Sequence, residues 1–192
     1  MSIVLVGSTS GSITLQEPAV AGTTVLTLPA TSGTFITTAS SGQSIPKAAL
    51  PTGSVLQVVN ATTSTTVSTS DSSNYIDTGV TATITPTASS SKILVLVNFG
   101  QCLRGSGDTG NSFGFRLLRD ATVIRGDGSL GIFFTNTALQ INDGYAFNYY
   151  DSPSSTSALV YKVQLINKNG NASISVQGSS VPSTITLLEI AA

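Results

Sequence analysis

The 192-residue sequence contains no histidine and a single cysteine. Without histidine there is no imidazole general base, no Ser-His-Asp or Cys-His nucleophile pair and no histidine-ligated zinc. Cys102 alone forms neither an intrachain disulfide nor a thiolate cluster for a metal or iron–sulfur centre. Charge is scarce too: 9% of residues are charged, against about 25% in an ordinary soluble domain, and the net charge is -1. Eight Lys and Arg against nine Asp and Glu leave no basic footprint for nucleic acid or an anionic membrane. No apolar run approaches the ~18 residues of a membrane span. The opening Met1-Ser-Ile-Val-Leu-Val-Gly7 lacks the cationic and long apolar regions of a signal peptide. The expectation is a protein with no nucleic-acid partner, no membrane insertion, no cofactor and no metal.

Hydroxyls stand where charges would normally be, with 29 Ser and 27 Thr. Disorder requires low hydrophobicity with high net charge, whereas this chain is 40% hydrophobic and rich in Val, Ile and Thr. It therefore has material for a core. Surfaces of such low charge repel one another weakly, which predicts an oligomer or larger assembly.

Residues 1 to 47 carry only Glu17 and Lys47 as charges and repeat with an eleven-residue period on Gly11, Gly22 and Gly33. In this register Leu15 matches Leu26 and Pro18 matches Pro29, and each unit reads as a short strand followed by a turn. Such strands are too short to bury much alone and gain stability by stacking or by wrapping with other chains. The Gly-, Pro- and Ser-rich stretch that follows predicts a linker at 48–53 and a second domain at 54–192. There, strand-like runs alternate with turn signals at the spacing of an all-β sandwich. The runs are Ser54–Val59, Asn74–Thr85, Lys92–Cys102, Ser112–Arg125, Gly131–Thr135, Ala146–Tyr150, Ala158–Asn167, Ala172–Gln177 and Thr184–Ile190. A turn at Asp120-Ala121 would pair Leu118 with Val123, Leu117 with Ile124 and Arg116 with Arg125. Asn169-Gly170 predicts a second hairpin joining Val163–Ile166 to Ile174–Val176.

Paired carboxylates are the one catalytic chemistry this composition leaves open, as Asp143 with Asp151 or Asp108 with Asp127. Each sits beside Gly, Ser or Asn, where Asp caps turns, and no spacing matches a calcium loop. The reading is a protein with no catalytic residues. The candidate ligand or interface residues are Arg116, Arg125, Tyr145, Phe147 and Tyr149. Arg116 opposite Arg125 calls for a carboxylate between them, Asp127 or Asp108, or for an external anion. Tyr145, Phe147 and Tyr149 alternate onto one sheet face, for core or subunit packing or for stacking on a carbohydrate.

Three stretches resemble structural proteins of tailed bacteriophages, particularly fibre-like and head-decoration proteins of the cyanophage type. They are the repeat from Gly11 to Phe35, Ser89-Ser-Ser-Lys-Ile-Leu-Val-Leu-Val97 and Ser183-Thr-Ile-Thr-Leu-Leu-Glu-Ile190. The resemblance implies a homotrimer with a jelly-roll or tumour-necrosis-factor-like β-sandwich head. It further implies that residues 1–47 attach the protein to another virion protein, with localisation to the particle surface, on tail or capsid. The implied function is a short tail fibre whose head contacts the host surface, with a host-surface glycan as a candidate partner. The short length makes capsid decoration the alternative, and a carbohydrate-binding β-sandwich module is a further one.

Overall fold

The computed structural model describes residues 3–6, 12–15, 50–106, 112–126, 131–134, 137–168 and 172–192. The chain divides into two units, Met1–Ser44 and Ile45–Ala192. In the first, β1 (Ile3–Val6) and β2 (Ser12–Leu15) pair antiparallel, with Ile3 opposite Leu15 and Val6 opposite Ser12. The second strand follows the first glycine of the eleven-residue repeat. The units beginning at Gly22 and Gly33 lie outside the described residues.

The second unit packs two antiparallel sheets face to face. Its strands are β3 (Val55–Thr63), β4 (Val67–Thr69), β5 (Ile76–Ile84), β6 (Lys92–Arg104), β7 (Phe113–Arg119) and β8 (Thr122–Arg125), then β9 (Ile141–Asp151), β10 (Leu159–Asn167), β11 (Ile174–Val176) and β12 (Ser183–Ile190). One sheet runs β5-β10-β7-β8, and the other runs β3-β12-β6-β11-β4 with β9 on the far edge of β6. The thirteen-residue β6 organises the larger sheet. Along one edge it pairs first with β12, over Lys92 to Phe99, and then with β11, over Cys102 to Arg104. Strands β11 and β12 thus form one interrupted strand, broken by a 3-10 turn at Gly178–Ser180, and β3 and β4 follow them in the same way. The interruption sets a glycine requirement on β6: a Cβ at Gly100 would lie 2.5 Å from the Pro182 carbonyl oxygen.

Alternation explains why these segments are strands with one buried face. In β5, Thr78, Val80, Ala82 and Ile84 are buried while Asp77, Gly79, Thr81 and Thr83 face solvent. In β6, Ile93, Val95, Val97 and Phe99 are buried, and in β12, Ile185 and Leu187. With Leu117, Tyr161, Val163 and Leu165 from the other sheet they form one core, each large side chain contributing about 1.5–3 kcal/mol on burial.

Two expectations change. Strand β11 pairs with β4 and β6, whereas β10 pairs with β5 and β7, so the segments flanking Asn169-Gly170 belong to different sheets. An Asn-Gly pair reports only a local reversal, and both sheets accept the alternating Ile174 and Val176. The crossing is fixed instead by Asn167, whose Nδ2 donates to the Ala172 carbonyl at 2.7 Å and whose backbone N–H donates to Asp71. The run at Gly131–Thr135 forms no strand over its described residues; only a bridge joins Ile132 to Phe113. Conversely, Val67–Thr69, inside the Ser- and Thr-rich stretch after β3, is a short strand.

Candidate functional site

A bulge in the β7–β8 hairpin decides where the arginines point. The turn falls at Asp120-Ala121, with Asp120 at φ 53° and its carboxylate accepting from the Val160 N–H at 2.9 Å. Leu118 opposes Val123 as expected, but Leu117 then opposes Arg125, leaving Ile124 as the extra residue. A bulge of this kind re-aims the side chains beyond it. Arg125 therefore shares the face of buried Leu117, toward the space between the sheets, and does not oppose Arg116. Its guanidinium carbon lies 4.3 Å from the Phe147 ring centre, and its Nη2 is 3.5 Å from the Tyr145 hydroxyl. Arg116 sits on the opposite face of the hairpin, donating from Nε to Gln164 at 2.7 Å and stacking 3.9 Å over Tyr75. Asp108 and Asp127, expected between the two arginines, lie outside the described residues.

Tyr145, Phe147 and Tyr149 share the inner face of β9, all half-buried against the core, and the outward Tyr150 is 57% exposed. Phe99 stacks on Phe115 at 4.5 Å between ring centres, and Phe115 on Tyr145 at 5.5 Å. Phe113, Phe115, Arg125, Gly126, Gly131, Ile132 and Tyr145 line a partly open cavity of about 150 Å3 between the sheets. The segment that closes it is pinned to β7 by reciprocal backbone hydrogen bonds between Ile132 and Phe113, at 2.7 and 3.0 Å. Gly131 is required there, because its φ is 69° and a Cβ would collide with the Phe113 carbonyl oxygen. Of the five residues selected from sequence, the structure gathers Arg125, Tyr145 and Phe147 here, with Tyr149 further along the same strand face. Sequence reasoning missed Phe113 and Phe115, which alternate toward the cavity; the signal was the alternation itself, once β7 is set opposite β9.

Two buried carboxylates tie the sandwich together. Asp151 receives Arg119 Nη1 at 2.7 and 2.9 Å and the Tyr161 hydroxyl at 2.6 Å, linking the two sheets. Burial, reinforced by this carboxylate, drives the Tyr161 pKa well above its ordinary value. Glu189, fully buried, accepts hydrogen bonds from the Thr87 N–H and hydroxyl, the Ser91 hydroxyl and Gln57 Nε2, at 2.6 to 2.7 Å. Asp143 and Asp151 lie eight residues apart on the same strand, about 26 Å at strand rise. A glycosidase pair needs its carboxyl groups within about 10 Å, so these two cannot form one. Burial pushes the Cys102 thiol up to about 12, with Asp143 adding to the shift, and keeps it from acting as a thiolate near neutral pH. Among the described residues, no three His, Cys, Asp or Glu side chains come together to hold a metal.

The outer face of the larger sheet is laid out in uncharged rows. Val58, Leu188, Leu94 and Tyr150 stand in register across β3, β12, β6 and β9. The next row is Asn60, Thr186, Leu96 and Asn148, and the next Thr62, Thr184, Asn98 and Ala146. Val58 is 58% exposed and Leu96 40%. A groove of about 420 Å3 crosses the two polar rows, flanked by Leu96, Asn98, Asn148 and Thr186. No protein-family model matches the chain, and no curated protein matches it in sequence.

Proposed function

We propose that this protein is a non-enzymatic structural protein of tailed-bacteriophage virions, a short homotrimeric tail fibre or fibre-like protein. Residues 1–47 would anchor it to another virion protein, and the sandwich would contact the host surface. The observation that carries the reading is the block of three uncharged rows on the outer face of the larger sheet, where Val58, Leu96 and Tyr150 are each at least 40% exposed. Its occupant in this proposal is a second copy of the chain. Twelve registered side chains without a charge bring no like charges together when copies meet, and their amides and hydroxyls offer both donors and acceptors to an identical face. Threefold symmetry closes such a contact into a finite particle. Strand pairing supports the finer fold assignment. Setting aside the short continuations β4 and β11, the eight strands nest first with last: β3 with β12, β5 with β10, β6 with β9 and β7 with β8. A long hairpin rolled into two sheets has this pattern, which is that of a jelly roll. The N-terminal repeat supplies the resemblance to virion proteins.

Light scattering on the full chain tests the assembly. A mass of about three times 19.5 kDa is expected, and a monomer at micromolar concentration overturns the reading. Antibodies against the chain should then label purified phage particles at the tail. Labelling of the capsid, with a gain in capsid stability on adding the protein, would establish the decoration role in its place.

A further inference from the structure

We propose that the cavity between β7, β8 and β9 is a binding site for a single six-membered ring bearing a carboxylate, with Arg125 as its anion clamp. The site lies between the sheets, away from the outer face assigned to assembly, so the inference does not depend on that assignment.

Three observations converge on this ligand. The first is the placement of the cation. A regular hairpin would have set Arg125 opposite Arg116 on the solvent side, and the extra residue Ile124 turns it inward, over Phe147. A guanidinium has five N–H donors in a planar fork. Among the described residues Arg125 meets only the Phe147 ring and, at 3.5 Å, the Tyr145 hydroxyl. Arg119, by contrast, is joined to Asp151 at 2.7 Å and Lys162 to Asp77 at 3.0 Å. The fork of Arg125 therefore keeps donors for a carboxylate, which it binds bidentately.

The second observation is size and wall chemistry. About 150 Å3 is the volume of an apolar protein cavity that holds one benzene. Ile132 and the half-buried Tyr145 ring supply the apolar wall, with the buried Phe113 and Phe115 behind them, and the cation stands at one side. That combination fits an amphipathic anion with one ring, either an aromatic carboxylate or a uronic acid whose apolar ring face stacks on an aromatic. A phosphate or sulfate without a ring would leave the walls uncovered.

The third is preorganisation. The wall at Gly131–Ile132 is fixed by its two backbone hydrogen bonds to Phe113, and Phe115 is held between Phe99 and Tyr145. Walls held in this way lose little conformational freedom on binding.

The test is calorimetric titration of the full chain with benzoate, benzamide and D-glucuronate, read beside light scattering. Benzoate or glucuronate is expected to bind, and whichever is tighter identifies the source of the ring. Benzamide keeps the ring and lacks the charge, so it should bind at least about tenfold more weakly than benzoate if the aromatic acid is preferred. Arg125→Gln should weaken the preferred acid by about tenfold or more, while Arg116→Gln leaves it unchanged. The proposal is overturned if neither acid binds at about 10 mM. It is equally overturned if the two arginine variants lose the same affinity, or if a preferred benzoate is matched by benzamide. Benzoate against benzamide, or D-glucuronate against uncharged D-glucose, decides the matter on the unaltered protein even if Arg125→Gln fails to fold, and a neutral counterpart that binds as tightly as the preferred acid overturns the proposal. Loss of acid binding with the trimer mass intact refutes the pocket alone; a monomer that still binds the acid refutes the assembly alone.

Discussion

The two outer faces of the sandwich are built from the same backbone pattern and differ in how they balance charged and uncharged side chains. On the four-stranded sheet, Asp77 receives Lys162 at 3.0 Å and Gln164 at 2.6 Å, and Gln164 in turn receives Arg116 at 2.7 Å. This ladder of charges and amides is satisfied within the chain. On the larger sheet, the rows from Val58 to Tyr150 and from Asn60 to Asn148 contain no charge and leave large apolar side chains in the open. Asp77, Lys162 and Arg116 stand on the one face, and the three rows named on the other carry no charge, which suits the copy-to-copy contact proposed above. In the proposed assembly the charged face looks to water and the neutral rows to a subunit.

The largest effect should come from breaking that asymmetry at the neutral face. Leu96→Lys places a cation at the middle of the registered rows, on a side chain already 40% exposed, so folding is expected to survive. Three copies would then bring like charges together in a desolvated contact, and light scattering should show monomer. Thr81→Lys, the matching insertion on the charged sheet's outer face, should leave the mass unchanged. If both variants remain trimeric, the neutral face is not the interface.

Next in size is the tie between the sheets. Asp151→Asn leaves Arg119 and the Tyr161 hydroxyl without their anion, and removing one partner of a partly buried pair should lower stability by about 3 kcal/mol. Urea unfolding at a fixed protein concentration reads this, since association would otherwise enter the result.

Much of this architecture is legible in the sequence, because β5 and β12 alternate buried with outward residues along their length and alternation is a local property. What is not legible arises where one residue changes the count. Arg116 and Arg125 are symmetric about Asp120-Ala121 in a regular hairpin, and nothing in Thr-Val-Ile-Arg announces that Ile124 will be skipped. The bulge is favoured by what it packs against, Phe147 on a strand from the other sheet, and that partner is brought near only by the fold. Asn169-Gly170 misleads for a similar reason: local chemistry specifies a reversal of the chain, while sheet membership is settled by distant partners such as Cys102 and Val67, which oppose Val176. Tyr145, Phe147 and Tyr149 were found because a single face of a single strand holds them all.

Glu189 sharpens the comparison by showing that the larger sheet, whose three outer rows carry no charge, buries a carboxylate on its inner face. Burial pushes its pKa up, yet the donors Thr87, Ser91 and Gln57 pull harder, and the net shift is below its ordinary 4.5. A carboxylate with a lowered folded pKa contributes stability that is full above the ordinary value and is lost as pH falls through the folded one. Glu189→Gln, which turns one acceptor into a donor facing donors, should cost about 2 kcal/mol near pH 7. Below pH 4.5 the gap between variant and parent should narrow, because the parent loses its carboxylate while the variant has none to lose. Unfolding measured from pH 7 down to about pH 3 checks the sign, and a gap that widens would refute it.

The smallest effect should come from the charged face itself. Arg116→Ala removes one hydrogen bond to Gln164 and the stacking over Tyr75, but leaves Asp77 with both Lys162 and Gln164. The Lys162–Asp77 pair is well exposed, with Asp77 at 56% side-chain accessibility, so water screens what the guanidinium contributed. A change of no more than about 1 kcal/mol is expected, shrinking in high salt, with no change in mass or in binding at the Arg125 cavity. A loss larger than the one at Asp151 would mean that the ladder is a structural seam, and that the face it covers is not simply the solvent side of the molecule.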